Sequence, residues 1–208
     1  MDTPEVQHQR MRGMYSAHAV WYDATRWAFL FGRKTVVQHL PAHPRQTLLE
    51  VGCGTGHNLR YLARAHPGWQ LVGLDVSPDM LALSAKATAA FAGRVRLLEQ
   101  PYGAGVPALP HPVDQVLFSY SLTMFNPGWE AALDQALADL KPGGHIAVVD
   151  FHDSSARVFQ AWMASYHVRL DGHLLPALEA RFEPVFRSIR PAWGGLWRYF
   201  LFVGQKTG

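Results

Sequence analysis

The sequence predicts an α/β fold, a largely parallel sheet with helices on both faces. Short β-rich runs alternate with segments of helical spacing along most of the chain. A glycine-rich turn, "GCGTG", joins the first of those runs to the first of those helices. The 208 residues are 49% hydrophobic and 17% charged, enough for one sizeable core and too few for two.

"TLLEV" (47–51) is the first predicted strand. Leu59, Leu62, Ala63 and His66 mark the helix after it, which Pro67-Gly68 stops. "WQLVGLDV" (69–76) is the second strand, and Ser77-Pro78 opens the next helix with a capping hydroxyl and a first-turn proline. "RVRLLEQ" (94–100) is the third strand; a Pro/Gly-rich loop leads to the fourth, "DQVLFSY" (114–120). The helix "WEAALDQALADL" ends at Lys141-Pro142-Gly143-Gly144, before the fifth strand, "HIAVVDF" (145–151). One helical segment is expected over roughly 155–181, followed by "EPVFRSIRP" and by "LWRYFLFVGQK" (196–206), apolar on both faces as a buried strand is.

The formal charge of +3 is too small for a nucleic-acid-binding stripe. Runs such as "WAFLF" and "YFLFV" are too short to span a bilayer, and "MDTPEVQHQR" lacks the apolar region of an export signal. One cysteine, Cys53, excludes an intramolecular disulfide framework and a cysteine-rich zinc site. No His, Asp or Glu cluster has the spacing of a metal centre, so a cytoplasmic protein without a metal is expected.

A strand, a glycine turn and a helix N-terminus let backbone approach a ligand closely. Gly52, Gly54 and Gly56 alternate, and a dinucleotide fingerprint would place its third glycine where His57 stands. Glu50 would repel a pyrophosphate but favours a cation. S-adenosylmethionine carries an amino group and a sulfonium. Asp75 closes the second strand about 20 residues after the glycines, where a carboxylate accepts ribose hydroxyls.

With "LKPGGHIAVVD" after the fourth strand, these residues resemble the class I S-adenosylmethionine-dependent methyltransferases over roughly residues 47–151. The resemblance implies a Rossmann-like seven-stranded sheet whose last strand is antiparallel. It implies that Glu50, Gly52, Gly54 and Gly56, with Cys53 and Asn58 in the same turn, hold the methionine end, and Asp75 the ribose. Val76 and Met80 would pack on adenine, and Gln100 or Glu99, beside Pro101, would meet its amino group. Ser119, Tyr120 and Ser121 would line the methyl-donor side, and S-adenosylhomocysteine would be the product.

The acceptor is read from the rest of the chain. "SYSLTMFNPGW" lacks the motif of base-methylating relatives. Trp21, Tyr22, Trp27, Phe29 and Phe31 crowd among Arg26, Arg33 and Lys34, a pattern that suits both a membrane interface and a lid over the site. "YSAHAVWYDATRWAFLFGR", "FSYSLTMFNPGW", "VVDFH" and "GLWRYFLFVGQK" resemble bacterial betaine-lipid enzymes, the diacylglyceryl-homoserine N-methyltransferases, and more loosely the phospholipid N-methyltransferases. That resemblance implies three methylations of one lipid amine, with a quinone or a small soluble metabolite as the alternative acceptor. The organisation expected is a helical lid or membrane-contact segment over 1–45 and a methyltransferase domain over 46–208, visiting an anionic inner-membrane face.

His152, just past the expected fifth strand, is the candidate proton acceptor. Tyr22, with Tyr15 and His18 behind it, would close over donor and amine. Tyr120, Trp162, Tyr166, Trp193 and Trp197 offer cation–π faces to a quaternary ammonium, and Arg26, Arg169 and Arg198 are candidate partners for a headgroup carboxylate.

Overall fold

A computed structural model describes residues 29–165 and 168–207. The candidate residues Tyr15, His18, Tyr22, Arg26 and Tyr166 lie outside them.

The seven strands are β1 (Thr47–Val51), β2 (Gln70–Asp75), β3 (Val95–Glu99), β4 (Val113–Ser119), β5 (Leu140–Asp153), β6 (Glu183–Ala192) and β7 (Trp197–Gln205). They form one sheet in the order β3-β2-β1-β4-β5-β7-β6. The neighbours from β3 to β5 pair in parallel, while β7 pairs antiparallel with both β5 and β6. The seven-stranded sheet with an antiparallel last strand is therefore present.

Among the described residues six helices flank it: α1 (Arg33–Gln38), α2 (His57–Ala65), α3 (Pro78–Thr88), α4 (Trp129–Asp139), α5 (Arg157–Ala164) and α6 (Leu174–Glu179). Strand alternation sends neighbouring side chains to opposite faces, so two cores form. Leu49, Val51, Phe118, Val148 and Phe200 pack against Leu133 of α4 and Leu178 of α6. Leu48, Leu117, Val149 and Leu201 pack against Val36 and Val37 of α1 and Leu59 and Leu62 of α2. The segment carrying α1 is thus part of the domain's own core.

Two boundaries differ from the sequence reading. β5 starts at Leu140, not His145, because Lys141–Gly144 runs on beside the chain's last strand: Gly143 N donates to Lys206 O at 3.1 Å and Lys206 N to Gly144 O at 2.8 Å. The segment expected as one helix over 155–181 is two, α5 and α6. Between them Asp171 bridges to Asp153, and Gly172 N donates to His152 O at 2.8 Å.

β1 has β2 on one side and β4 on the other, so the strand order reverses there. Open α/β sheets leave a crevice for ligands beyond the carboxyl ends of the strands at this point.

Candidate active site

The first wall of the crevice is the turn after β1. Gly52, Gly54 and Gly56 take φ of +71°, +51° and +74°, the left-handed region that glycine enters without penalty. The turn is fastened by Gly52 N and Cys53 N, which both donate to Leu74 O at 2.8 and 3.0 Å. A Cβ on Gly52 would stand 2.6 Å from Ser121 Cβ, and one on Gly56 would stand 2.3 Å from Ser84 Oγ. The alternating glycines therefore let three neighbouring segments close up. Beneath the turn, Glu50 is buried and its Oε1 accepts from Asn58 Nδ2 at 2.7 Å.

Cys53 is buried in the turn, and burial first, then the charges of Glu50 and Asp75, push its thiol far above its ordinary range. It is a packing residue, not a nucleophile. His57 opens α2, and burial, with Arg33, Arg60 and Lys34 nearby, lowers its pKa.

The second wall is the end of β2. Asp75 Oδ2 accepts from Gly54 N at 2.8 Å, and Oδ1 from Ser77 N at 3.0 Å. One carboxylate thus ties the glycine turn to the start of α3, where Ser77 Oγ caps Met80 N at 3.4 Å and Pro78 takes the first turn. Val76 is half-buried and Met80 buried beside it. Gln100 N donates to Asp75 O at 3.3 Å, which brings the end of β3 to the same place. Gln100 Nε2 reaches Ala108 O at 3.4 Å, while Glu99 and Pro101 are exposed.

The third wall is the end of β4. Ser121 Oγ donates to Val51 O at 2.7 Å. Ser119 Oγ is buried without a hydrogen-bond partner among the described residues. Tyr120 takes φ +54°, a strained conformation for a bulky residue. Its OH donates to Phe31 O at 2.9 Å. Burial and the charge of Asp150 hold that phenol well above its ordinary pKa, so it is a donor at neutral pH.

Asp150 was missed by the sequence reading. It is wholly buried in β5; its Oδ1 accepts from Thr123 Oγ1 at 2.7 Å and Phe151 N at 2.8 Å, and Oδ2 from Thr123 N at 3.1 Å. Burial pushes its pKa up to about 6 against the opposing pull of those donors. The signal was an acid interrupting the apolar run "AVVDF".

Beyond these walls the aromatics converge. Phe151 meets Tyr120 at 4.9 Å and Trp197 at 5.0 Å between ring centroids. Trp197 is fully buried and also meets Phe29, Phe31 and Tyr199. Trp162 joins through Phe29 at 6.2 Å. Trp197 Nε1 has no hydrogen-bond partner among the described residues.

His152 needs a correction. It lies inside β5 as the extra residue of a bulge, between Phe151 opposite Tyr199 and Asp153 opposite Arg198, and it packs on Phe200 and Gly172 instead of on the rings around Trp197. Burial lowers its pKa. The candidate carboxylate partners are also already engaged: Arg169 Nε pairs with Asp171 at 3.0 Å, and Arg198 Nε with Asp153 at 2.6 Å.

The glycine cradle, the carboxylate of Asp75 and the unmatched hydroxyl of Ser119 together fit an adenosyl group whose far end is cationic. Residues 49–146 match a family model described as a methyltransferase domain. The chain is 32% identical over 147 residues to a demethylmenaquinone methyltransferase of Thermus thermophilus, covering 66% of this chain and 64% of that protein. Against the first curated relatives it matches, the chain spans between 35% and 64% of their length. Its fold is that of the cyclase SpnF (TM-score 0.79, 18% identity, 96% and 97% of the two chains covered). It is also that of a 1,6-didemethyltoxoflavin-N1-methyltransferase of Burkholderia thailandensis, solved with S-adenosylhomocysteine (TM-score 0.74, 18% identity, 100% and 92% covered).

Proposed function

We propose that this chain is a class I S-adenosylmethionine-dependent methyltransferase that methylates the amine of a lipid headgroup of the diacylglyceryl-homoserine kind, up to three times. Bound S-adenosylmethionine supplies an electrophilic methyl group on a sulfonium. The chain's residues then have three tasks. Gly52, Gly54, Gly56 and Asp75 hold the donor, and Ser119 and Ser121 border the end from which the methyl leaves. The aromatic group presents the acceptor.

One observation carries the lipid-amine reading: the rings of Tyr120, Phe151, Trp197 and Phe29 gather beside the donor side of β4. An amine must lose its proton to expose a lone pair. An apolar, water-poor wall lowers the amine pKa by disfavouring the charged form. After each transfer the nitrogen is cationic, and ring faces attract a cation by about 0.5–2 kcal/mol each, depending on desolvation. This is the balance a repeated N-methylation requires: the amine enters the wall as its free base, leaving its proton to bulk water, and each methylated ammonium releases its proton to water before the next transfer. In this reading the enzyme works on the cytoplasmic side and touches an anionic membrane surface to collect its acceptor.

A flat quinol would also stack on these rings, and the Thermus relative is a quinone enzyme by name. Incubation with methyl-labelled donor and diacylglyceryl-homoserine, a demethylquinol or a soluble metabolite pool separates the readings. Successive one-methyl mass increments on the lipid amine are expected. Label found only on the quinol or in the aqueous phase refutes the assignment.

A further inference from the structure

Five large apolar side chains remain exposed around the mouth of the aromatic group: Phe31, Val158, Trp162, Trp193 and Leu196. They come from three separate stretches of sequence but form one surface. Val158 and Trp162 stand one turn apart on α5, and Trp162 touches Phe29. Trp193 and Leu196 sit in the tight turn between β6 and β7, and Trp193 meets Phe31 edge-on at 6.5 Å. Ser154 fastens the two together: its Oγ donates to Leu196 O at 2.6 Å and accepts from Ala156 N, the cap of α5, at 3.1 Å.

The charged side chains on the stretches that build this surface are all basic, and the two carboxylates at its border, Asp153 and Asp171, are each paired with an arginine. Residues 29–40, 154–170 and 184–208, the stretches that build it, contain no aspartate or glutamate. They contain Lys34, exposed near Phe31, Arg157, next to Val158, and Arg190, paired across from Tyr199. Asp153, at the border, is taken up by Arg198. The patch is also continuous with the buried wall, through Phe31 and Phe29 to Trp197.

We infer that this composite surface is where the enzyme docks on an anionic lipid bilayer. Trp162, Trp193, Val158 and Leu196 enter the headgroup boundary, the arginines and Lys34 meet anionic lipid, and the aromatic group behind opens toward the membrane. Soluble proteins seldom leave such an apolar patch exposed, and basic stretches whose bordering carboxylates are paired with arginines match an anionic surface. The inference deepens the lipid-acceptor reading and rests on it for its purpose, but its test uses neither donor nor acceptor.

The full chain is sedimented with vesicles of phosphatidylglycerol and phosphatidylcholine, and with phosphatidylcholine alone. Binding to the anionic vesicles is expected, weakening as salt is raised. Val158→Glu with Leu196→Glu, both exposed and outside the donor site, should reduce that binding on the order of tenfold or more. The variant's thermal midpoint and its turnover of a short-chain, monomerically dissolved lipid amine should be retained. Failure of the wild type to bind anionic vesicles overturns the inference, and so does variant binding equal to wild type. A dimer of the wild type that this variant splits, with vesicle binding absent, overturns it too and makes the patch a self-interface. Vesicle binding without methylation of any lipid amine strikes only the acceptor assignment.

Discussion

Replacing Gly52 by alanine tests the donor cradle most directly. At φ +71° an L-residue is disfavoured by about 1–2 kcal/mol. The added methyl would also fall 2.6 Å from Ser121 Cβ and 3.2 Å from Ser121 Oγ, the hydroxyl that holds Val51 O. Overpacking of this kind adds about 1–3 kcal/mol, for a total of about 2–5 kcal/mol. Gly105→Ala is the control: its φ of +75° is nearly the same, and nothing lies within 4 Å of the added methyl. It should lose only the backbone share. Denaturant unfolding measures both variants, and calorimetric titration with S-adenosylhomocysteine reads the cradle. Gly52→Ala should bind the nucleoside at least about tenfold more weakly while Gly105→Ala binds as wild type. Ser121→Gly added to Gly52→Ala removes the colliding carbon and should recover the steric share. If the two alanine variants match in stability and in affinity, the close approach of the glycine turn to the β4 loop is not what forms the site.

Asp75→Ala releases Gly54 N and Ser77 N, which costs stability, and removes the carboxylate proposed to take the ribose hydroxyls, so nucleoside affinity should fall by about 1.5–3 kcal/mol. Titration calorimetry checks this, and unchanged affinity removes Asp75 from the site. Asp150 predicts a pH dependence. Burial pushes its pKa up to about 6 in the folded chain, against an ordinary value of 3.8, so the folded state binds the extra proton. The stabilisation is full below pH 3.8 and is lost as pH rises through about 6, on the order of 3 kcal/mol in all. Relative to Asp150→Asn, the wild type should therefore gain stability between pH 7 and pH 5 in chemical denaturation. A difference that stays flat over that range contradicts the assignment.

The parts of the site that were legible in the sequence are local. Glycines at alternating positions, Asp75 at the end of an apolar run, and Ser77-Pro78 before a helix are each decided by backbone conformation or capping within a few residues. What was not legible depends on long-range partners. Asp150 is explained by Thr123, 27 residues away. The break between α5 and α6 follows from pairing of Asp171 with Asp153, which outweighs helical spacing there. β5 runs on to Asp153 through a bulge at His152, set by pairing with the distant β7, so His152 is a packed strand residue and not a turn residue. Asp171, by contrast, stands two residues from Arg169, so that arginine's engagement was within reach of the sequence.

The donor cradle draws only on residues 50–121, whereas the aromatic wall draws on 29–31, 151–162 and 193–199. Tyr120 belongs to both, clasping Phe31 O while standing at the end of β4. Such a division keeps the residues around the glycine turn apart in sequence from those that build the aromatic wall. Among the described residues Tyr120 joins the two, so any shift of the aromatic wall is felt at the end of β4.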